Sequence, residues 1–255
     1  MERERIYGWH AVQAAIERAD DRVEALWLAE GRRGPRLKAL LKAAQAARIE
    51  PKYVSRAELD RMVEGNPHQG VVADYRLQAA PAPGDLSEFL MRLAAPAFLL
   101  VLDGVQDPHN LGACLRSACA AGAQALIVPR DNAVAVTAAV RKVASGAAES
   151  VPVFTVANLA RALERLREAG IWVVGASAEA DKSLYEVDLS GPLALVLGGE
   201  GEGLRRLTRE HCDVLAAIPM AGSVTSLNVS NAAAVCLFEA LRQRRARWPG
   251  LLNVP

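Results

Sequence analysis

The second half of the chain is marked by short, mostly continuous apolar runs at 97–102, 125–128, 151–154, 171–175, 193–197 and 214–218. Hydrophobicity without alternation predicts strands covered on both faces, hence a parallel sheet between layers of helices. Helical spacing separates these runs and is clearest at 111–121, 159–169 and 227–245, the last being the longest. The first part alternates too. A helix-like stretch at 10–18, an apolar run at 23–28, a second helix-like stretch at 36–46 and extended pieces at 51–54 and 71–75 predict a small α/β/α unit. Between the halves, Pro81, Pro83, Gly84 and Pro96 punctuate 77–96 and predict a linker, with room for a short helix at 86–93. The expected organisation is therefore a domain over 1–76, a linker over 77–96 and a second α/β domain over 97–255.

With 255 residues, 51% of them hydrophobic, the chain can bury a core without disulfide or metal staples. Cys114, Cys119, Cys212 and Cys236 form no C-x-x-C pair and have no zinc-like histidine spacing, so reduced thiols and no metal centre are expected. The opening carries Glu2, Arg3, Glu4 and Arg5 instead of an apolar signal, and no run approaches the roughly 20 apolar residues of a membrane span. A cytoplasmic protein is expected. The net charge of +1 points to no partner by itself. Local clusters change that picture: Arg32-Arg33 with Arg36 and Lys38, Arg205-Arg206 with Arg209, and Arg242, Arg244, Arg245 and Arg247. Each fits either phosphate contact or a solvated helix face.

Three polar islands sit where an apolar run gives way to a helix-like one, and in open α/β sheets such strand ends collect ligands. They are expected to converge on one site. In the first, Asn110-x-Gly112-x-x-x-Arg116, the helix is expected to open at Asn110, and Gly112 leaves room beside Arg116 on the same helix face. The second, Gly198-Gly199-Glu200-Gly201-Glu202-Gly203, lets backbone wrap closely around a ligand while Glu200 points into the site. It has neither the dinucleotide register nor a triphosphate-binding lysine. The third, 218–231, offers Ser223, Thr225, Ser226, Asn228 and Ser230, more hydroxyls and amides than one helix cap requires.

Taken in this order, the three islands resemble the SpoU (TrmH-type) branch of the SPOUT RNA methyltransferases, which methylate a ribose 2′-hydroxyl with S-adenosylmethionine. The likeness extends through Tyr7-Gly8-Trp9-His10, His68-Gln69-Gly70, 143–149 and 207–213, nearly the whole chain. It is nearest to bacterial enzymes acting on a guanosine in the peptidyl-transferase region of 23S rRNA. The resemblance implies a SPOUT catalytic domain with a C-terminal trefoil knot, an N-terminal L30e-like RNA-binding domain, and a homodimer with its active site near the subunit interface. It also implies that Gly198, Ile218 and Leu227 hold the cofactor while Asn110, Arg116, Glu200, Ser226 and Asn228 line the reaction site. The implied partners are 23S rRNA or a large-subunit precursor, with no membrane and no metal. Transfer RNA as substrate, or a non-catalytic RNA-binding role in ribosome assembly, are the competing readings. The family's proposed base is Arg116, but a guanidinium stays protonated in proteins, so Arg116 is expected to clamp phosphate and Glu200 to accept the proton.

Overall fold

The computed structural model of the protein describes residues 3–17, 22–76, 85–93, 96–199, 201 and 203–248. Contacts divide it into two compact units, Met1–Ala79 with Val136–Ser150, and Ala80–Ala135 with Val151–Pro255. The first contains β1 (Arg3–Tyr7), α1 (Trp9–Glu17), β2 (Val23–Ala29), α2 (Pro35–Ala46), β3 (Pro51–Val54), α3 (Arg56–Met62) and β4 (Val71–Arg76). Its sheet has the order β1-β4-β2-β3, with β4 antiparallel to both neighbours and β2 parallel to β3. Side chains alternate across it. Ile6, Leu26, Val71 and Ala73 face a core closed by Trp9, Val12 and Ile16 of α1 and Leu40 of α2, whereas Tyr7, Ala29 and Val72 face Leu59 of α3 and Val63. A capping box starts α3: Ser55 Oγ accepts from the Glu58 N–H and the Glu58 carboxylate accepts from the Ser55 N–H, both at 3.2 Å.

The remaining elements, in chain order, are α4 (Asp85–Met91), β5 (Phe98–Asp103), α5 (Pro108–Ala121), β6 (Ala125–Pro129), α6 (Ala138–Ala144), α7 (Ala147–Ser150), β7 (Val153–Val156), α8 (Leu159–Glu168), β8 (Trp172–Ala176), β9 (Lys182–Ser183), β10 (Leu193–Gly198), α9 (Arg206–Glu210), β11 (Val214–Ala217) and α10 (Val229–Arg247). The helices α6 and α7 cluster with the first unit, although the sequence division kept them in the second domain. Their allegiance follows from packing. Arg141 pairs with buried Glu149 at 2.7 Å, and the turn between the helices, with Gly146 at φ 92°, lies so close to α1 that a Cβ there would meet Ala14.

The second unit's sheet is parallel throughout, in the order β7-β6-β5-β10-β8-β11-β9. Every residue of β5 and β6 is buried, which is why their runs read as continuous hydrophobicity. The strand β7 begins two residues later than its apolar run, because Pro152 brings no N–H to a ladder. One face of the sheet is closed by α8, whose Leu159, Leu163 and Leu166 join Leu99, Val101, Ile127, Phe154 and Val196 in one core. The helices α5 and α10 pack against each other. From β5 the chain adds β6 and β7 on one side, then returns to place β10 and β8 on the other, so the strand order reverses between β5 and β10. Such a switch point opens a crevice at the carboxyl ends of the two strands. Burial pushes the Cys212 and Cys236 thiols up to about 12, and all four cysteines are free thiols. Among the described residues no helix is long and apolar enough to cross a membrane.

Candidate active site

At the switch point Asp103 and Gly198 end paired neighbouring strands. The glycine-rich segment then folds back: the Gly199 N–H donates to the Asp103 carbonyl at 2.8 Å, and Gly199 bridges Gly203. A Cβ on Gly198 would run into the Gly203 backbone, and one on Gly199 into the Gly104 carbonyl. Glycine is therefore required at both positions by close approach of main chain. The far end of the turn is stapled by Asp103, whose buried carboxylate accepts from the Arg205 backbone N–H at 3.0 Å and from its Nε at 2.6 Å. A buried carboxylate is stable only with such donors around it. No function was expected of Asp103; the available signal is a single acid ending an otherwise apolar strand.

A cavity of about 490 Å³ opens above this turn, walled by Ser177 and Glu179 after β8, by Leu197, Gly198, Gly199, Gly201 and Gly203, and by Ile218 and Thr225 to Asn228 on the way to α10. That volume suits a cofactor-sized ligand. The segment 218–227 belongs to no helix or strand, and none of its backbone groups bonds to a described residue. Of this segment Ile218, Met220, Thr225, Ser226 and Leu227 line the cavity, with N–H and C=O groups that have no partner among the described residues. Asn228 caps α10, its Oδ1 accepting from the Ser230 N–H at 2.9 Å and from the Ser230 hydroxyl at 2.6 Å. Its Nδ2 donates to Asn110 Oδ1 at 3.1 Å, joining the first turn of α5 to the start of α10.

The expected site residues thus fall into three groups. Gly198, Ile218, Ser226, Leu227 and Asn228 wall one cavity, and Asn110 is tied to it through Asn228. Arg116 does not line the cavity; it is exposed on α5 and its side chain bonds to no described residue. Glu200 lies outside the described residues. The opening of α5 also differs from expectation, for Asp107 is the cap, accepting from the His109 N–H at 2.9 Å, and Pro108 takes the first helical position. A proline has no N–H to satisfy there, so Asp-Pro outcompetes Asn110 as the start, and Asn110 within the first turn reaches Asn228. The second arginine cluster is largely engaged with acids: Arg205 with Asp103, Arg206 with Glu210 at 2.5 Å and Arg209 with Glu179 at 3.0 Å.

Comparison with known proteins bears on both units. Residues 97–238 match the model of the SpoU rRNA Methylase family, and residues 5–79 match that for RNA 2'-O ribose methyltransferase substrate binding. The 23S rRNA (guanosine-2'-O-)-methyltransferase RlmB of Pseudomonas aeruginosa is 56% identical over 94% of this chain and 97% of its own. The enzyme of the same name from Escherichia coli K12 is 52% identical over 94% of this chain and 99% of its own. Among solved structures, the SpoU methyltransferase AviRb from Streptomyces viridochromogenes in complex with AdoMet superposes with a TM-score of 0.78 at 28% identity, covering 96% of this chain and 91% of that one. The chain belongs to the SpoU rRNA Methylase family.

Proposed function

We propose that the protein transfers the methyl group of S-adenosylmethionine to the 2′-hydroxyl of a guanosine in the peptidyl-transferase region of 23S rRNA. The observation that carries the chemistry is the cavity, where glycine-turn backbone faces Ile218, Met220, Thr225, Ser226 and Leu227, whose main chain is unbonded to described residues. This wall fits the donor. An adenosine needs apolar slabs and main-chain hydrogen bonds at its edges, and Leu197, Leu204, Ile218 and Leu227 alternate there with backbone unbonded to described residues. The choice of 23S rRNA rests on relatives of that printed activity matching both units at 52–56% identity. It is preferred over transfer RNA or a non-catalytic assembly role.

Gly198, Ile218 and Leu227 hold the cofactor in this reading, and Ser226, Asn228 and Asn110 position the ribose. When bound, the cofactor supplies an electrophilic methyl on a sulfonium. Displacement at that carbon consumes positive charge, so alignment of the nucleophile contributes more than stabilisation of new charge. Arg116, permanently cationic, clamps the target phosphate and favours the developing alkoxide; Glu200 takes the hydroxyl proton, directly or through water. A single copy leaves Arg116 outside the cavity, which fits a homodimer with its active site near the subunit interface and a second copy's arginine completing it. The 48% exposure of Phe238 on α10 fits the same arrangement. The reading includes an L30e-like first unit that binds RNA, consistent with its mixed sheet and flanking helices, a trefoil knot around the segment leading into α10, and action in the cytoplasm.

The test is titration calorimetry with S-adenosylmethionine followed by mapping of ribose methylation on 23S rRNA with and without the protein. Saturable binding and one new modified guanosine are expected; absence of binding sinks the enzymatic reading and revives the RNA-binding one. For the roles, Arg116→Lys should keep most turnover and Glu200→Gln none, and an active Glu200→Gln removes the carboxylate from the scheme.

A further inference from the structure

Two motifs that methyl transfer leaves without a task, Gly8-Trp9-His10 and His68-Gln69-Gly70, meet in the first unit. Both are turns in left-handed backbone, with φ of 93° at Gly8, 54° at Gln69 and 79° at Gly70. Gln69 is the informative one, because a residue with a side chain is held in that region only where its surroundings over-determine it. Beneath it, buried His68 accepts the Gly70 N–H on Nδ1 at 3.0 Å, which leaves the ring proton on Nε2 to donate to Asp60 Oδ1 at 3.0 Å. From the side, Gln69 Oε1 accepts the Trp9 N–H at 3.4 Å.

Arg32 lies against this double turn. Its guanidinium carbon is 5.3 Å from the centroid of the Trp9 ring, and a Cβ on Gly70 would stand 2.8 Å from that same carbon. Only glycine at position 70 lets the guanidinium rest there. Stacking fixes a guanidinium without consuming its in-plane N–H groups. None of them bonds or ion-pairs to a described residue, and Arg33, Arg36 and Lys38, all exposed, are likewise unpaired among the described residues. A positioned planar fork amid further positive charge is suited to bidentate binding of an anion with two oxygens.

We infer that Arg32, set in place by Trp9 and the His68–Gly70 turn, binds one backbone phosphodiester of the substrate RNA. Arg33, Arg36 and Lys38 supply the surrounding field. The inference rests on the RNA methyltransferase reading and adds to it a residue, a contact and its chemistry.

The test uses the full-length protein and a 23S rRNA fragment carrying the peptidyl-transferase region, with affinity measured by fluorescence anisotropy over a series of salt concentrations. Arg32→Gln should raise Kd about tenfold and reduce the slope of log affinity against log salt by roughly 0.7 to 0.9, the share of one phosphate contact. The loss in methylation should fall on KM for RNA, with kcat retained. Arg32→Lys should keep the slope while recovering only part of the affinity, since a point charge replaces the fork. Gly70→Ala, checked for folding by circular dichroism, should reproduce Arg32→Gln by displacing the guanidinium. Wild-type Kd and slope in Arg32→Gln overturn the inference. So does a loss of affinity with unchanged slope that depends on one base, which would mark a base-edge contact, or a loss confined to kcat. A wild-type protein that binds the fragment with this dependence on Arg32 yet ignores S-adenosylmethionine would instead overturn the enzymatic reading alone.

Discussion

Arg205 and Arg32 both rest beside glycine-bearing turns, yet they are immobilised by opposite means. Arg205 is held by a carboxylate with no exposed side-chain surface, so its charge is neutralised and its donors are occupied. Arg32 is held by an aromatic ring and bare backbone, so it is just as placed while its charge and donors have no partner among the described residues. The first arrangement makes an arginine part of the scaffold, and the second makes it a ligand-binding group. The distinction sorts the arginine clusters. Arg206, Arg209 and Arg242 pair with acids, Arg247 lies 3.7 Å from Asp188, and buried Arg244 donates to the Pro96 carbonyl at 2.8 Å and to the Gly191 carbonyl. Arg245 is exposed without a partner among the described residues, but only the cluster around Arg32 is unpaired there throughout.

The contrast breaks most visibly at Asp103. Asp103→Ala deprives the Arg205 backbone and side chain of their acceptor and frees the end of the glycine turn. Losing the charged acceptor of two hydrogen bonds costs about 3 kcal/mol, and a thermal melt should fall by several degrees. S-adenosylmethionine affinity should fall with it. Asp103→Leu combined with Arg205→Leu should recover part of the melting loss, because the desolvated carboxylate is gone and no guanidinium is left without its partner. A single variant that melts like the wild type would deny Arg205 its scaffold role.

Next in size is Gly198→Ala, which drives a methyl group into the Gly203 backbone. Overpacking of this kind costs about 1–3 kcal/mol. Since the strain falls on the cavity floor, calorimetry should show S-adenosylmethionine binding weakened by more than the melt alone implies. RNA affinity, if it resides in the first unit, should stay near wild type.

What the sequence disclosed follows the same line between local and distant causes. Central strands such as β5 and β10 are apolar on both faces, and their extents differ from the apolar runs by a residue at most. By contrast β1, with Arg3, Glu4 and Arg5 in five residues, and the two-residue β9 have no such signature, because edge strands need little apolar surface. The helices α6 and α7 lie between two strands of the second sheet in sequence but pack with the first unit, a choice made by tertiary contact with α1 and β1. In the site, Gly198, Ile218, Ser226, Leu227 and Asn228 were visible as strand-end islands. Asp103 was not, since its role depends on a residue 102 positions away. Charge counting also could not separate Arg32 from Arg205, for the ring and the carboxylate that distinguish them are distant in sequence.

Asn228→Ala removes the cap of α10 and its link to Asn110, and loss of such a cap costs about 1 kcal/mol. If the pair also positions the ribose, kcat should fall further than the melt predicts. Equal and modest losses would leave Asn228 as a cap alone.

The smallest expected effect sharpens the comparison most, because it changes an equal charge in the other setting. Arg206 is exposed and bound to Glu210 four residues on, an arrangement that contributes a few tenths of a kcal/mol. Arg206→Gln should therefore shift the melt by about 1 °C or less and leave both RNA affinity and its salt slope at wild-type values. Set beside Arg32→Gln, the two substitutions remove identical charge from the same protein. If their salt slopes fall alike, RNA reads the net field of the surface, and the manner in which each guanidinium is held is irrelevant to binding. If only Arg32→Gln changes the slope, the stacking that keeps its donors open is what distinguishes a binding arginine from a structural one.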